Sequence, residues 1–306
     1  MGYDSIDAIF CAERGIIVTH TPDVLNAEVA NTTIMLFLNS FREFSFNEAY
    51  VKSGNWKLEG MAPYSRSPDN RVVGILGMGR IGQEIASRLS IFNPKILYHS
   101  RSPKDVPYTY YEDLETMARD CEVLICITPG GLQTNKIVNE GVLTALGSTG
   151  TLINIARGSV VDQTALINTL KDKRLGYAAL DVFENEPLVN SPLHSLDNII
   201  LTPHLGASTV EAQTASSIQI SNQISEFLKN GSIVNSVNMS SISGSEKKLL
   251  GPYLDLSYKL GAFAGQLTEN AIKAITIEYE GTASMVNQDL LTRNIIHNLL
   301  GSFIDN

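Results

Sequence analysis

Three side chains suited to proton and anion chemistry each follow an apolar run: Arg157 follows "TLINI" in "NIARGSVVD", Glu186 follows "ALDVF" in "ENEP", and His204 follows "NIILT" in "TPHLGAST". In an open α/β sheet the groups that meet a ligand gather beyond the carboxyl ends of the strands. A histidine exchanges a proton near neutral pH, and a carboxylate partner fixes its tautomer and stabilises its charged form. An arginine offers a planar fork of donors to a carboxylate and polarises an oxygen bound beside it. Singly, each would be an ordinary turn or surface residue. As an ordered set after successive strands they fit oxidation of a 2-hydroxy acid, in which hydride leaves carbon while a base takes the hydroxyl proton. His204 is expected to be that base, Glu186 its partner and Arg157 the substrate anchor. The remaining histidines, His20, His99, His194 and His297, have no comparable context.

Hydride chemistry needs an acceptor, and "VVGILGMGRIGQEIA" supplies a place for one. Gly77, Gly79 and Gly82 stand at G-x-G-x-x-G spacing after an apolar strand and at the start of a helix, the context a dinucleotide site demands. Gly77 permits the tight turn, Gly79 lets the backbone approach a pyrophosphate, and Gly82 lets helix and strand pack closely. The helix start, with Arg80 and Ile81, holds the anion through free amides and the helix dipole. Asp181, at the end of "YAALD", is expected to bind the nicotinamide amide group. Position 100 lies about where an acidic residue would accept the adenosine ribose hydroxyls, yet it is Ser100. No carboxylate occurs from Asn93 to Lys104, and Lys95, Arg101 and Lys104 make the segment basic. Ser100 can donate to a 2'-phosphate and Arg101 can pair with one, so NADP is expected in preference to NAD.

The elements that must position these groups read as strands at "RVVGIL", "KILY", "EVLICI", "TLINI", "YAALDVF" and "NIILT". Helices are expected near 80 to 91, 111 to 119, 139 to 146 and 162 to 173, with a longer one from about Asn26 to Lys52 between the breakers "TPD" and "SGNW". This alternation predicts an α/β fold, a Rossmann-like doubly wound parallel sheet. A capping box, Ser208-x-x-Glu211, opens a further helix that Gly231 stops. "SSISGS" reads as a linker to a different module, in which "AITIEYE" alternates as one half-buried strand between two helices. The expected boundaries are 1–25 for the remnant of a substrate domain, 26–205 for the dinucleotide-binding domain, 206–238 for the returning helix and linker, and 239–306 for a partial C-terminal domain. A lone strand is not stable without a sheet, and both the head ("IIVT") and the tail offer only one. Both outer domains are therefore expected to be incomplete, as in a fragment or a chain completed by another copy.

The chain has 306 residues, 43% hydrophobic and 18% charged, with a net charge of -9. Such an acidic balance argues against a nucleic-acid surface and makes the basic patch near Arg101 a site for one small anion. Cys11, Cys121 and Cys126 form no C-x-x-C pair, which argues against a zinc site or a disulfide framework; no metal is expected and a reducing, cytoplasmic setting is the default. No apolar run approaches the ~20 residues of a membrane helix, and the polar start "MGYDSID" is unlike a signal peptide.

"GMGRIG", "NIARGSVVD", "ALDVFENEP" and "TPHLGAST" together resemble the D-isomer-specific 2-hydroxyacid dehydrogenases across nearly the whole chain. The resemblance implies that Arg157, Glu186 and His204 are catalytic and that Thr128 and Pro129 line the cofactor site. It also implies that Gly2 belongs to a loop whose amides bind the substrate carboxylate, and that a homodimer forms through the nucleotide domain. The segments "GYDSID", "TPDVL", "GNW" and "LYHSRSPKDVPY" resemble NADP-dependent glyoxylate and hydroxypyruvate reductases. From "SPLHSLDNIILTPHLGASTVEAQ" to the end the chain is similar to D-3-phosphoglycerate dehydrogenase of serine biosynthesis, with a C-terminal domain cut short at Asn306 and a flavodoxin-like substrate domain entered only at its last part. The first reading is accordingly a D-3-phosphoglycerate dehydrogenase-like enzyme using NAD or NADP. A reductase of glyoxylate or hydroxypyruvate is the alternative, and a dinucleotide-sensing binding module or an inactive fragment are readings of another class.

Overall fold

The structure is a computed structural model of the chain and describes residues 2–239, 244–268, 272–286 and 288–304. Seven short strands, β1 (Val72–Leu76), β2 (Lys95–His99), β3 (Thr109–Tyr110), β4 (Val123–Cys126), β5 (Thr151–Asn154), β6 (Tyr177–Leu180) and β7 (Ile199–Leu201), form one parallel sheet in the order β3-β2-β1-β4-β5-β6-β7. The helices in chain order are α1 (Ala8–Glu13), α2 (Asn26–Arg42), α3 (Phe44–Lys52), α4 (Asn55–Leu58), α5 (Arg80–Leu89), α6 (Leu114–Asp120), α7 (Glu140–Leu146), α8 (Gln163–Lys171), α9 (Val210–Asn230), α10 (Gly244–Leu267) and α11 (Gln288–Ile304). This is the expected doubly wound α/β fold.

Successive strand residues point to opposite faces, and here both faces are covered, so the central residues of the strands are apolar. Leu76, Leu97, Leu124, Leu152 and Ala178 bury themselves with α6, α7 and α8 on one face. Ile75, Tyr98, Ile125, Ile153 and Ala179 do so with α2 and α5 on the other. The chain builds β1, β2 and β3 outward on one side, then returns to lay β4 to β7 on the other. Between β1 and β4 the strand order reverses, the place where an open α/β sheet receives a ligand. At the opposite end of the same two strands Arg71 pairs with Glu122 at 2.8 Å, and Glu122 also accepts from the Val72 amide at 3.0 Å.

The chain forms two compact units, one of Met1–Asp4 with Asp23–Ala215 and one of Ser5–Pro22 with Ser216–Asn306. In the second, the head segment meets the tail: Thr19 forms an antiparallel bridge with Ser236, and the Asn238 side chain donates to the carbonyls of Ala8 and Ile16. The expected head strand "IIVT" is thus a single bridge rather than a strand. In the same unit α10 and α11 pack together, with Asn294 donating to Leu254 O and Ser257 Oγ.

Other expectations change in detail. The long helix over residues 26–52 divides at Glu43, whose φ of 51° is left-handed. Asn39 and Ser45 exchange hydrogen bonds across the break, and Asn47 donates to the carbonyls of Arg42 and Glu43, a local alternative to the helical ladder. β3 has only two residues, too short for its pattern to be read as a strand. The helix expected from 111 begins at Leu114 because Asp113 caps it by accepting from the Thr116 amide. The cap of α9 is Thr209, which accepts from the Ala212 amide, while Ser208 donates instead to the His204 carbonyl. Gly231, with φ of 66°, ends that helix as expected. "AITIEYE" has no ladder partner among the described residues and is not a strand; Tyr279 bonds Thr292 Oγ1 instead. Residues 240–243 of the expected linker lie outside the described residues.

Gly158 shows how tightly the loops at the carboxyl edge interlock. A Cβ there would stand 1.9 Å from the carbonyl carbon and oxygen of Phe183, so the loop after β5 rests on the loop after β6 with no room between them. Gly158→Ala is therefore expected to cost about 3 kcal/mol, the upper range of core overpacking. Urea denaturation of both proteins, compared at equal m-value, checks this; an unchanged midpoint would show that the loops are free to part.

Candidate functional site

The glycine loop leaves β1 and turns into α5. Gly77 has φ of 109°, a conformation that side chains other than glycine rarely adopt, and a Cβ on it would lie 2.8 Å from the Thr128 amide nitrogen. The loops after β1 and β4 therefore touch at Gly77 and Thr128, the place where the winding reverses. A Cβ on Gly82 would lie 2.2 Å from the Gly77 carbonyl, so the helix is seated directly on the turn. Gly79, by contrast, has nothing within 4 Å of its Cβ position and no side-chain cap over the helix start. The first helical bond runs from the Gln83 amide to Gly79 O, which leaves the amides of Arg80, Ile81 and Gly82 pointing out of the first turn. An open glycine below three free amides fits a pyrophosphate.

The Arg80 side chain turns away from this cradle and pairs through Nη1 with both oxygens of Asp23 at 2.9 Å. The Ile81 side chain packs against the core. Both side chains are thus engaged elsewhere, and only the backbone amides of these residues are left at the helix start. Pro129 continues the β4 loop, and its carbonyl accepts from Thr134 Oγ1 at 2.7 Å.

At the end of β2, Tyr98 folds the basic segment into a closed turn. Its buried hydroxyl accepts from the Lys104 amide at 2.8 Å and donates to the Lys104 carbonyl at 3.2 Å. Ser100 Oγ donates to Ser102 O at 2.7 Å, and the Ser100 carbonyl accepts from Tyr110. The turn projects Arg101 and Lys104 outward; both are exposed, and neither forms an ion pair among the described residues. His99 spends Nδ1 on the Tyr111 carbonyl at 3.0 Å.

The loop after β5 sets Arg157. The buried Asn154 donates to Arg157 O at 3.0 Å and accepts from the Ala156 amide at 3.1 Å, a side-chain brace that fixes the turn. The guanidinium then pairs with Asp4, Nε to Oδ2 at 2.7 Å and Nη2 to Oδ1 at 3.1 Å. That hydrogen bonding holds the Asp4 carboxyl below the usual carboxylate range, and the Arg157 and His204 charges act in the same direction. A residue near the head of the chain thus lies within electrostatic reach of the arginine and the histidine together. Gly2 lies beside the same guanidinium: a Cβ on it would fall 1.9 Å from Nη2.

Beyond β7, His204 sits at φ of 55°, and its Nδ1 lies 2.7 Å from Glu186 Oε2. A carboxylate only accepts, so Nδ1 carries the hydrogen and Nε2 is left for exchange. Glu186 is itself steadied by the Phe183 amide at 3.0 Å. The imidazole and carboxylate border a hollow of about 590 Å³ that includes Phe183, Leu188, His194 and Leu201 in its lining. His194, which has no signal in the sequence, is brought to the same hollow as His204.

Asp181 departs most from expectation. It is fully buried, and its carboxylate accepts from Thr202 Oγ1 at 2.6 Å, the Leu205 amide at 2.7 Å and the Gly206 amide at 2.8 Å. Its carbonyl accepts from the His204 amide. Instead of reaching toward a ligand, the side chain clamps the loop that carries the histidine. The motif "TPHLG" names this loop, yet nothing in it names the clamp. No cluster of His, Cys, Asp and Glu able to hold a metal occurs among the described residues.

Comparison with known proteins agrees with this geometry. Residues 34–206 match the D-isomer specific 2-hydroxyacid dehydrogenase NAD binding domain, and residues 249–306 match the D-3-phosphoglycerate dehydrogenase intervening domain. Glyoxylate/hydroxypyruvate reductase A of Arabidopsis thaliana is 45% identical over 216 residues, 70% of this chain and 69% of its own length. D-3-phosphoglycerate dehydrogenase of Methanocaldococcus jannaschii is 31% identical over 312 residues, 99% of this chain but 59% of its own length. The structure of the NADPH-dependent glyoxylate/hydroxypyruvate reductase of Sinorhizobium meliloti with NADP and malonate superposes with a TM-score of 0.76 at 42% identity, covering 79% of this chain and 76% of that one. The higher identities go to the reductases, which corrects the order of the two expected readings. A glycine cradle at the reversal of the sheet, an arginine after β5 and a carboxylate-bound histidine after β7 accordingly belong to an NAD(P)-dependent member of the D-isomer-specific 2-hydroxyacid dehydrogenase family.

Proposed function

We propose that the chain reduces a small 2-oxo acid of the glyoxylate or hydroxypyruvate kind to its D-2-hydroxy acid with NADPH. The observation that carries the reading is the 2.7 Å contact between His204 Nδ1 and Glu186, which leaves Nε2 to serve the substrate oxygen. The nicotinamide, when bound, supplies the hydride that reaches the carbonyl carbon. Arg157 binds the substrate carboxylate through its free N–H groups and draws electron density from the adjacent carbonyl oxygen. Gly2, beside that guanidinium, would add a backbone amide. The protonated His204 releases the Nε2 proton to the oxygen as the alkoxide forms, and Glu186 offsets the imidazolium charge beforehand. In the reverse direction Nε2 takes the hydroxyl proton. Thr128 and Pro129, on the loop that touches Gly77, would complete the cofactor wall. Replacing His204 by Gln should lower kcat by at least about a hundredfold, the usual share of a positioned acid, with cofactor affinity unchanged. Single-turnover and cofactor-titration measurements check this, and near-normal turnover would remove the histidine from the reaction.

Preference for NADPH rests on the closed basic turn. Without a carboxylate at position 100 nothing there repels a 2'-phosphate, and Arg101 and Lys104 stand on its rim with no ion pair among the described residues. Ser100→Asp is expected to reverse the preference by about tenfold or more, since one charge-assisted contact is exchanged for repulsion. Steady-state kcat/KM with both cofactors reads it; equal use of both by the unaltered chain would contradict the assignment.

Two further features guide the substrate and assembly. The match to the D-3-phosphoglycerate dehydrogenase intervening domain supports 3-phosphoglycerate oxidation, in serine biosynthesis, as the second reading. Tests of glyoxylate, hydroxypyruvate and 3-phosphoglycerate against both cofactors separate the two. The helices α3 and α4 and the segment after them expose Phe44, Trp56, Leu58, Met61 and Tyr64, an apolar surface suited to a second copy, and a cytoplasmic homodimer through this domain fits it. Sedimentation is expected to give twice the chain mass, and Trp56→Arg to shift it toward the monomer; a monomer at micromolar concentration would refute the pairing.

A further inference from the structure

We infer that Asp4 is a positioning residue for the reaction: it locks the Arg157 guanidinium side-on and leaves one N–H on each terminal nitrogen to receive the substrate carboxylate. The inference extends the proposed reading and rests on it for the identity of the ligand. A guanidinium has five N–H donors in a plane. Nε and Nη2 each give one to Asp4, at 2.7 and 3.1 Å, and Nη1 gives one to the Ala156 carbonyl at 2.7 Å. Two donors remain, one on Nη1 and one on Nη2, and a carboxylate bridges such a pair through both oxygens.

The surroundings favour a lock over a chance ion pair. Gly130, on the β4 loop, approaches the stem so closely that a Cβ would meet Arg157 Cγ at 3.0 Å and Asp4 Oδ2 at 3.8 Å. Gly2 passes the other end, where a Cβ would meet Nη2 at 1.9 Å. The side chain is thus gripped at its stem by the β4 loop, at its carbonyl-facing nitrogen by Ala156, and at its outer edge by the segment 2–4. An arginine held this way loses its rotamer freedom during folding rather than during substrate binding.

Asp4 also brings a negative charge near a site that takes an anion, and the two effects oppose one another. The Asp4 side chain is 44% exposed. Water therefore screens its repulsion of a substrate, whereas the orientation it gives the guanidinium is not screened. Orientation prevails, and loss of the carboxylate is expected to weaken substrate binding rather than strengthen it.

The test measures this chain with glyoxylate, hydroxypyruvate and NADPH. Asp4→Asn should raise KM for the 2-oxo acid about tenfold, with kcat within about twofold, melting temperature nearly unchanged and NADPH affinity unaltered. Asp4→Glu should recover part of the loss. Oxalate, which presents the same carboxylate beside a second oxygen, is titrated calorimetrically in parallel, and Asp4→Asn should bind it about tenfold more weakly in the wild-type background but no more weakly when Arg157 is already Lys. An unchanged KM and unchanged oxalate affinity in Asp4→Asn, or an equal loss in the Arg157→Lys background, would overturn the positioning role. A wild-type chain that shows the oxalate effect yet reduces no 2-oxo acid would uphold the positioning and overturn the proposed reaction. A chain that neither binds oxalate nor reduces any of these acids would overturn both.

Discussion

The buried carboxylate of Asp181 is the constraint on which the site's geometry depends. His204 lies on a short loop in a left-handed conformation that costs a residue other than glycine free energy. Such a loop holds its shape only if the surrounding structure over-determines it. Asp181 does this from the end of β6, taking a hydroxyl and two amides of the loop on its two oxygens and the histidine amide on its carbonyl. The Gly206 backbone passes so near that a Cβ would stand 3.3 Å from Oδ2. A buried carboxylate with these partners removed would cost several kcal/mol to leave unsatisfied, so loop and carboxylate stabilise one another or neither holds. With the loop fixed, the imidazole faces Glu186 with one edge and keeps the other for exchange.

The same logic of paired elements recurs at each functional group. The glycine cradle exists because β1 and β4 are parallel neighbours with Leu76 beside Cys126, which brings Thr128 against Gly77. Arg157 is set by Asn154 on its own strand and interlocked with the next loop through Gly158. Glu186 belongs to that second loop, so displacement of one loop moves both Arg157 and the carboxylate that faces His204. The carboxyl edge of the sheet acts as one packed layer in which small residues stand where two backbones must meet.

What could be read from the sequence divides along the range of the interactions. The glycine spacing, the strand-like runs and the order of Arg157, Glu186 and His204 are local signals tied to a period or a motif, and the fold follows from them. Asp181 was visible as an acidic residue at a strand end, but its burial depends on a loop 25 residues further on. Asp4 gave no signal, because its partner lies 153 residues away and only the folded chain brings them together. The break at Glu43 was hidden for a different reason: apolar spacing continues across it, and the cause is a set of Asn and Ser side chains competing for the backbone. "AITIEYE" shows the reverse case, a perfect alternation that specifies a face but supplies no neighbouring strand to bond with.

The charges of the site are arranged so that each has a counterpart before any ligand enters. Arg157 faces Asp4 and His204 faces Glu186, two pairs whose members come from four separate stretches of chain, the second an ion pair when the imidazole is protonated. A lone guanidinium and a lone imidazolium at one edge would repel each other and raise the cost of protonating the histidine. With a carboxylate on each, the four side chains sum to zero once His204 carries a proton, and a bound monocarboxylate then adds a single negative charge. Arg101 and Lys104 of the basic turn have no such ion-pair partner among the described residues, which suits a group that arrives with its own excess of negative charge. Compensation at the reacting end and none at the far end would let a polyanionic cofactor be drawn in by its adenosine side, while the small acid is selected by the geometry of one oriented fork.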